Sequence, residues 1–163
     1  MKKRGNFDIS FSMIFSIIII IAIIGVAFYV ISSFVSVSNC AEIGLFYDGL
    51  QEHIDKAWKS TIHKDTFTGK LPLGIELVCF GSLTQTPPRD YISQYNSILR
   101  SNINSKNRNV FLYPIHKSCD ATLFAAELEN IKTDEFFCIP VKDSKIELKT
   151  EKDQFDAQVT LTS

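Results

Sequence analysis

Hydrophobic and polar residues separate sharply along this chain, because no charged residue occurs between Ile9 and Ala41. This uncharged run is rich in isoleucine and exceeds the roughly 20 apolar residues that a helix needs to cross a hydrocarbon core about 30 Å thick. A helix also satisfies its own backbone polar groups, which a lipid environment requires. The pattern therefore predicts a transmembrane helix over residues 9–37.

The next segment, residues 38–60, changes to a periodic alternation of apolar and polar positions. Its apolar side chains recur at spacings of three and four, at Ile43, Phe46, Leu50, Ile54 and Trp58. Such a stripe is typical of a helix that buries one face. We expect this amphipathic extension to pack on a sheet of the same chain, with packing against a partner helix as the alternative.

Shorter alternating runs after the helix predict a small, mostly antiparallel sheet. Strands are expected within residues 75–80, 110–115, 136–141, 145–150 and 157–162. Helices are expected over residues 87–102 and 122–130, and turns at 70–74 and 142–144. The predicted fold class is α+β, with a long N-terminal helix followed by one domain over residues 38–163.

The charges that flank the apolar run give it a direction. Lys2, Lys3 and Arg4 precede the run, whereas no lysine or arginine follows it until Lys56. Because basic flanks stay in the cytoplasm, residues 1–8 are predicted to form a cytoplasmic tail and residues 38–163 to lie outside the cell membrane. The run would then serve as an uncleaved signal-anchor.

Two processing alternatives fit parts of the same segment. A cleaved secretory signal would use Ser36-Val37-Ser38 as its site, but the apolar core of such a signal spans only about 7–15 residues. Lipidation of Cys40 would need a small residue where Asn39 stands, and it would leave three other cysteines. The uncleaved anchor accounts best for the length of the run.

The charge balance of the outer segment limits its partners. Once the three basic residues of the tail and Asp8 are set aside, this segment holds 14 basic and 17 acidic residues, a net charge near −3. That balance argues against contact with nucleic acid or with anionic lipid headgroups. The expected partners are the lipid bilayer and either other copies of the chain or other membrane proteins.

All four cysteines, Cys40, Cys79, Cys119 and Cys138, lie in the predicted outer segment. An even number in an oxidising compartment predicts two disulfides, with three possible pairings. We expect Cys40–Cys79 and Cys119–Cys138, which would tie the helix to the first strand and close a short loop. Buried free thiols are one alternative. Another is a metal site that combines the last three cysteines with His116, although no Cys-x-x-Cys pair is present.

Motifs for catalysis or cofactor binding are absent from the sequence, including a P-loop, a dinucleotide fingerprint and a nucleophile elbow. The histidines, His53, His63 and His116, lack the spacing of a metal-binding helix, and His53 is expected to be solvated. A nucleophile built from Cys119 and His116 would require a free thiol. We therefore predict no enzyme, no cofactor and no metal, with a surface enzyme or ligand-binding domain as an alternative.

The N-terminus carries Lys2-Lys3-Arg4-Gly5-Asn6, followed at once by the apolar helix and the cysteine-bearing domain. This layout resembles that of archaeal and bacterial type IV pilin-like proteins. The resemblance implies peptidase cleavage after Gly5, a mature N-terminus at Asn6, and a helix that later packs in a filament core. Many pilins place a glutamate five residues after the cut, where this chain has Ser10. The isoleucine-rich anchor also looks like that of small archaeal membrane proteins.

The sequence as a whole predicts a single-pass membrane-anchored protein. Its extracytoplasmic, disulfide-bonded domain is expected to have a structural or interaction role. A pilin-like filament subunit processed after Gly5 is the alternative function.

Overall fold

The computed structural model describes residues 11–101, 107–119 and 123–162. The chain divides into two units, of which the first ends at Ser36 and the second begins at Val37. The boundary falls within helix α1 (Phe11–Lys59), which Gly44 and Gly49 do not interrupt. The predicted span and its amphipathic extension are therefore parts of one helix.

Eight strands in the described residues form two four-stranded sheets, which confirms the α+β class. The strands are β1 (His63–Lys70), β2 (Leu77–Phe80), β3 (Val110–Tyr113), β4 (Ala125–Ala126), β5 (Ile131–Lys132), β6 (Phe137–Pro140), β7 (Lys145–Lys152) and β8 (Val159–Thr162). The first sheet has the order β1-β7-β8-β5 and the second the order β4-β3-β2-β6. Only the short β5–β8 pair among them is parallel, so the sheets are mostly antiparallel, as predicted.

The C-terminal half of α1 packs inside the domain through the stripe that its spacing predicts. The stripe is buried at Ile43, Phe46, Leu50, Ile54 and Ala57. These side chains share one hydrophobic cluster with residues of both sheets. Trp58 lies at the margin of the stripe, 41% exposed, and its Nε1 donates a hydrogen bond of 3.1 Å to the carbonyl of Ala157. The stripe thus packs on the protein's own sheets.

Helix α2 (Ile92–Arg100) follows a single 3-10 turn at Arg89–Tyr91. It confirms the helix predicted after Pro87 and Pro88, because proline suits the entry to a helix. The predicted last residue of that helix, Asn102, lies outside the described residues. Helix α2 contributes its buried side chains, at Tyr95 and Ile98, to a second hydrophobic cluster that includes Phe111 and Phe136.

The two sheets differ in how many faces they bury. Along β2, Val78 and Phe80 join the cluster of α1, while Cys79 joins the cluster of α2, so the second sheet is covered on both faces. Along β7, alternate side chains are buried from Ile146 to Lys152, and those between them are exposed or half-buried. The first sheet therefore keeps one wet face, as the alternation in its sequence predicts.

One prediction about local structure is wrong, and one strand is not predicted. The sequence predicts a helix over residues 122–130, but β4 pairs with β3 in this region and Asn130 has φ 61°, outside the helical range. This prediction is wrong because Phe124, in a turn, and Ala125, in β4, are buried in the same hydrophobic cluster as the side chains of α2. Strand β1 is not predicted at all, because Phe67 is its only large apolar residue.

The turn predicted at residues 142–144 is confirmed as a tight two-residue turn that connects β6 to β7. Lys142 and Lys145 exchange two backbone hydrogen bonds of 2.9 Å. Asp143 and Ser144 lie between them with φ of 50° and 59°. Positive φ at both central residues is the geometry that a two-residue hairpin loop prefers.

Candidate functional site

The four cysteines form two disulfides, but the predicted pairing is wrong. Cys40 of α1 is bonded to Cys119, and Cys79 of β2 is bonded to Cys138 of β6. The second bridge follows from the sheet, because β2 and β6 are neighbours and their register sets Cys79 directly opposite Cys138. The sequence separations are 79 and 59 residues, so each bridge joins distant parts of the chain.

These bridges rule out two of the chemistries considered from the sequence. No cysteine of the chain is free. A metal site that uses cysteine thiolates with His116, and a nucleophile built from Cys119 and His116, are therefore both contradicted. His116 itself is exposed in the 3-10 turn Ile115–Lys117.

The N-terminal part of α1 exposes an apolar surface on all sides. Every described side chain from Met13 to Val35 is exposed. Within the described residues, α1 is the one helix long and apolar enough to cross a membrane. The predicted processing residues, Gly5 and Asn6, lie outside the described residues.

A cluster of polar groups lies where the C-terminal half of α1 packs against β1. One ligating atom each from His53, His63 and Asp65 lies within 4.8 Å of the other two. His63 and Asp65 belong to one face of β1, because alternate residues of a strand point to the same side. The rings of His53 and His63 meet edge to face with centroids 5.5 Å apart, and the ring of Phe67 lies 5.4 Å from that of His53.

The environment of His53 differs from the solvated one that the sequence predicts. His53 is half-buried, and its Nε2 lies 3.0 Å from the hydroxyl Oγ1 of Thr150, a buried residue of β7. That hydroxyl donates its single hydrogen to the backbone carbonyl of Asp65, at 3.1 Å. With that bond made, the hydroxyl can only accept from Nε2–H of His53, and in this tautomer the lone pair of the neutral ring is on Nδ1.

Burial also affects the charge of His53. Desolvation lowers the pKa of its imidazole, and the nearby carboxylate of Asp65 opposes this effect. Electrostatic interactions with His63 and with Lys56 lower the pKa further. The neutral imidazole is favoured as a result.

The Nε2 atom of His63 is buried and has no hydrogen-bond partner within the described part of the chain. A buried polar atom left without a partner costs about 1–3 kcal/mol, so such atoms are rare in folded proteins. Two imidazoles and a carboxylate are together a ligand set that divalent transition metals accept. His53, His63 and Asp65 are therefore the described residues best placed to hold a metal ion.

A surface groove runs beside the same strand. It has a volume of about 360 Å³ and is formed by residues 42, 45, 46 and 49 of α1 and residues 67–70 of β1. Leu45 contributes an apolar side chain that is 70% exposed. Strand β1 is an end strand of the first sheet, and a free strand edge beside an apolar groove is a common docking surface for another chain.

No protein-family model, curated protein or solved structure matches this chain. The sequence alone identifies the disulfide cysteines, but it does not identify the group His53, His63 and Asp65, which we call the histidine cluster. The cluster needs β1, which has no alternation of apolar residues. The one available signal is the alternate spacing of His63 and Asp65 in an otherwise polar run.

Proposed function

We propose that this chain is a single-pass membrane protein whose disulfide-bonded outer domain has a structural or interaction role. The observation that carries this proposal is the unbroken exposure of apolar side chains from Met13 to Val35. An apolar surface of this extent is not stable in water, since its transfer out of water is favourable by about 25 cal/mol per Å². The lipid bilayer is therefore the first partner of the chain.

The orientation rests on the flanks of the span and on the cysteines. Lys2, Lys3 and Arg4 favour a cytoplasmic N-terminus. The disulfides Cys40–Cys119 and Cys79–Cys138 lie after the span, and disulfides persist in oxidising compartments outside the cytoplasm. Both features support an extracytoplasmic domain.

The interaction role is supported by the groove beside β1 and by the charge of the outer segment. The groove offers the apolar side chain of Leu45 and the edge of a sheet to another chain. A net charge near −3 disfavours nucleic acid as the occupant. The partners that fit are a second copy of this chain or another membrane protein.

Membrane fractionation of two matched variants tests the anchor. We expect the wild-type chain to stay in the membrane pellet after carbonate washing. The double variant Ile20→Lys/Ile21→Lys should leave the pellet, because each lysine in a span costs about 2.5–3.5 kcal/mol. The control, Ile62→Lys/Leu73→Lys, changes two exposed apolar residues outside the span and should stay in the pellet. A soluble wild-type product that begins after Ser38 would contradict the anchor and support a cleaved signal.

A pilin-like filament subunit is the second candidate function. It is favoured by the continuity of α1, in which an exposed apolar part precedes a part packed on the domain. On this proposal, cleavage after Gly5 gives a mature N-terminus at Asn6, and other copies of the chain cover the apolar surface. Intact-mass measurement of the purified protein tests it. A mass that starts at Asn6 supports processing, whereas an intact Met1 without filaments contradicts it.

A further inference from the structure

The residues of the histidine cluster come from two elements that the fold holds together. His53 lies in the part of α1 that is buried on the sheets, and the neighbouring Ile54 is fully buried. His63 and Asp65 lie at the start of β1, which is paired along all of its residues with β7. The cluster is thus carried by a helix and a strand of the packed domain, and both elements limit how far the three side chains can move.

Each of the three groups has a possible ligand atom that is not used by a hydrogen bond to the described residues. The Nε2 atom of His63 is buried without a partner within the described part of the chain. The hydrogen bond from His53 to Thr150 leaves Nδ1 of His53 with its lone pair. The side chain of Asp65 is exposed, and one carboxylate oxygen accepts from the amide of Thr66 at 2.8 Å, which leaves the second oxygen for another contact.

The bond between His53 and Thr150 has the form of an outer contact in a metal site. Metal-ligating histidines usually donate their second ring N–H to a protein acceptor, which fixes the tautomer and the orientation of the ring. For His53 this acceptor is the hydroxyl of Thr150, which in turn donates a hydrogen bond to the carbonyl of Asp65. Two lysines near the cluster in the sequence have carboxylate partners. Lys56 pairs with Glu52 at 2.7 Å, and Lys64 pairs with Glu151 at 2.9 Å.

We propose that His53, His63 and Asp65 bind a divalent transition-metal ion of the zinc type. Zinc takes two imidazole nitrogens and a carboxylate oxygen at about 2.0–2.2 Å, so its tetrahedral ligand atoms lie about 3.4 Å apart. The three groups lie within 4.8 Å of one another, and the Asp65 side chain is exposed, which leaves it room to rotate. A water molecule fills the fourth position, because the described residues supply three ligands.

The bound ion would link the C-terminal half of α1 to the edge strand β1. It would do so beside the groove formed by the same two elements. A metal that binds the folded chain in preference to the unfolded one raises the apparent stability of the fold. The site therefore acts as a non-covalent link that complements the disulfides, and it is independent of the proposals on anchoring and filament assembly.

Zinc titration of the full chain in detergent micelles tests the proposal. The protein is used with both disulfides intact, without a polyhistidine tag and after removal of metal by a chelator. Because no cysteine is free, thiolates do not compete for the ion. We expect calorimetry to give one zinc ion per chain, and the melting temperature to rise with zinc concentration.

Three variants and one control locate the site. His53→Gln, His63→Gln and Asp65→Asn should each weaken zinc binding by about tenfold or more, since loss of even an outer contact costs about 10–100-fold. His116→Gln removes the exposed histidine outside the cluster and should bind zinc like the wild type. Asp65→Asn keeps the size of an exposed side chain, so it reports on binding even where a histidine variant folds poorly.

Three results would overturn the proposal. If zinc does not saturate at one ion per chain, or if Asp65→Asn binds zinc as tightly as the wild type, the cluster is not a metal site. Loss of binding in His116→Gln would also reject it. The metal-free melting temperatures of all variants separate loss of a ligand from loss of the fold.

Discussion

Leu50 and Leu45 belong to the same helix but have opposite environments. Leu50 is fully buried against the sheets, whereas Leu45 is 70% exposed. We expect Leu50→Ala to lower the free energy of unfolding of the domain by about 2–5 kcal/mol, because it leaves a cavity in a packed core. Leu45→Ala should change this free energy by less than about 0.5 kcal/mol. Chemical denaturation of both variants in micelles measures the difference, and equal effects would contradict the packing of α1.

Gly69 is required by close packing rather than by backbone conformation. A Cβ atom at this position would lie 2.5 Å and 2.7 Å from two ring atoms of Phe46. Gly69→Ala should therefore destabilise the domain by about 1–3 kcal/mol through overpacking. Gly44→Ala is the matched control, since no atom lies within 4 Å of its Cβ, and it should stabilise the helix by about 0.5–1 kcal/mol. Similar melting temperatures for the two variants would contradict this account.

The candidate site depends on individual residues that the sequence could not bring together. The helical spacing places His53 near the polar side of its helix, where solvent is the expected neighbour. Its actual neighbours come from two strands: His63 and Asp65 from β1, which follows the helix directly, and Thr150 from β7, 97 positions along the chain. Local periodicity carries no information about such contacts. The proposed metal site could therefore be inferred only from the fold.

At the scale of elements, the disulfides give a direct test of topology. We expect peptide mapping of the unreduced protein to find Cys40 joined to Cys119 and Cys79 joined to Cys138. The double variant Cys40→Ser/Cys119→Ser should lose about 2–4 kcal/mol of stability and still show no reactive thiol, because its second bridge remains. Two reactive thiols in this variant, or a Cys40–Cys79 peptide in the wild type, would contradict the arrangement of the strands.

Elements with a clear apolar period could be predicted, and those without one could not. Helix α1, strand β7 and strand β8 follow their patterns, because each buries one regular face. One face of strand β1 carries His63, Asp65, Phe67 and Gly69, and this mixture of polar, aromatic and small residues matches no strand pattern. The segment that contains β4 has helix-forming residues, but tertiary contacts of Phe124 and Ala125 override that local preference.

At the scale of the molecule, the composition of the chain changes near the boundary between the two units. Residues without any charge precede a segment with alternating polarity, and the structure separates its units between Ser36 and Val37. The predicted pairing of the disulfides is wrong, because pairing is not a property of the local sequence. Pairing depends on which elements are neighbours in the fold, and the positions of the four cysteines in the sequence do not reveal that arrangement.

The orientation of the domain across the membrane is the central claim, and protease treatment of intact cells tests it most directly. The chain carries an epitope tag after Ser163, and the N-terminal fragment is followed by mass spectrometry. We predict that external protease removes the tag and leaves a membrane-bound fragment that contains α1's apolar residues, Met13 to Val35. A tag that is protected in intact cells and cleaved only after lysis would contradict the account.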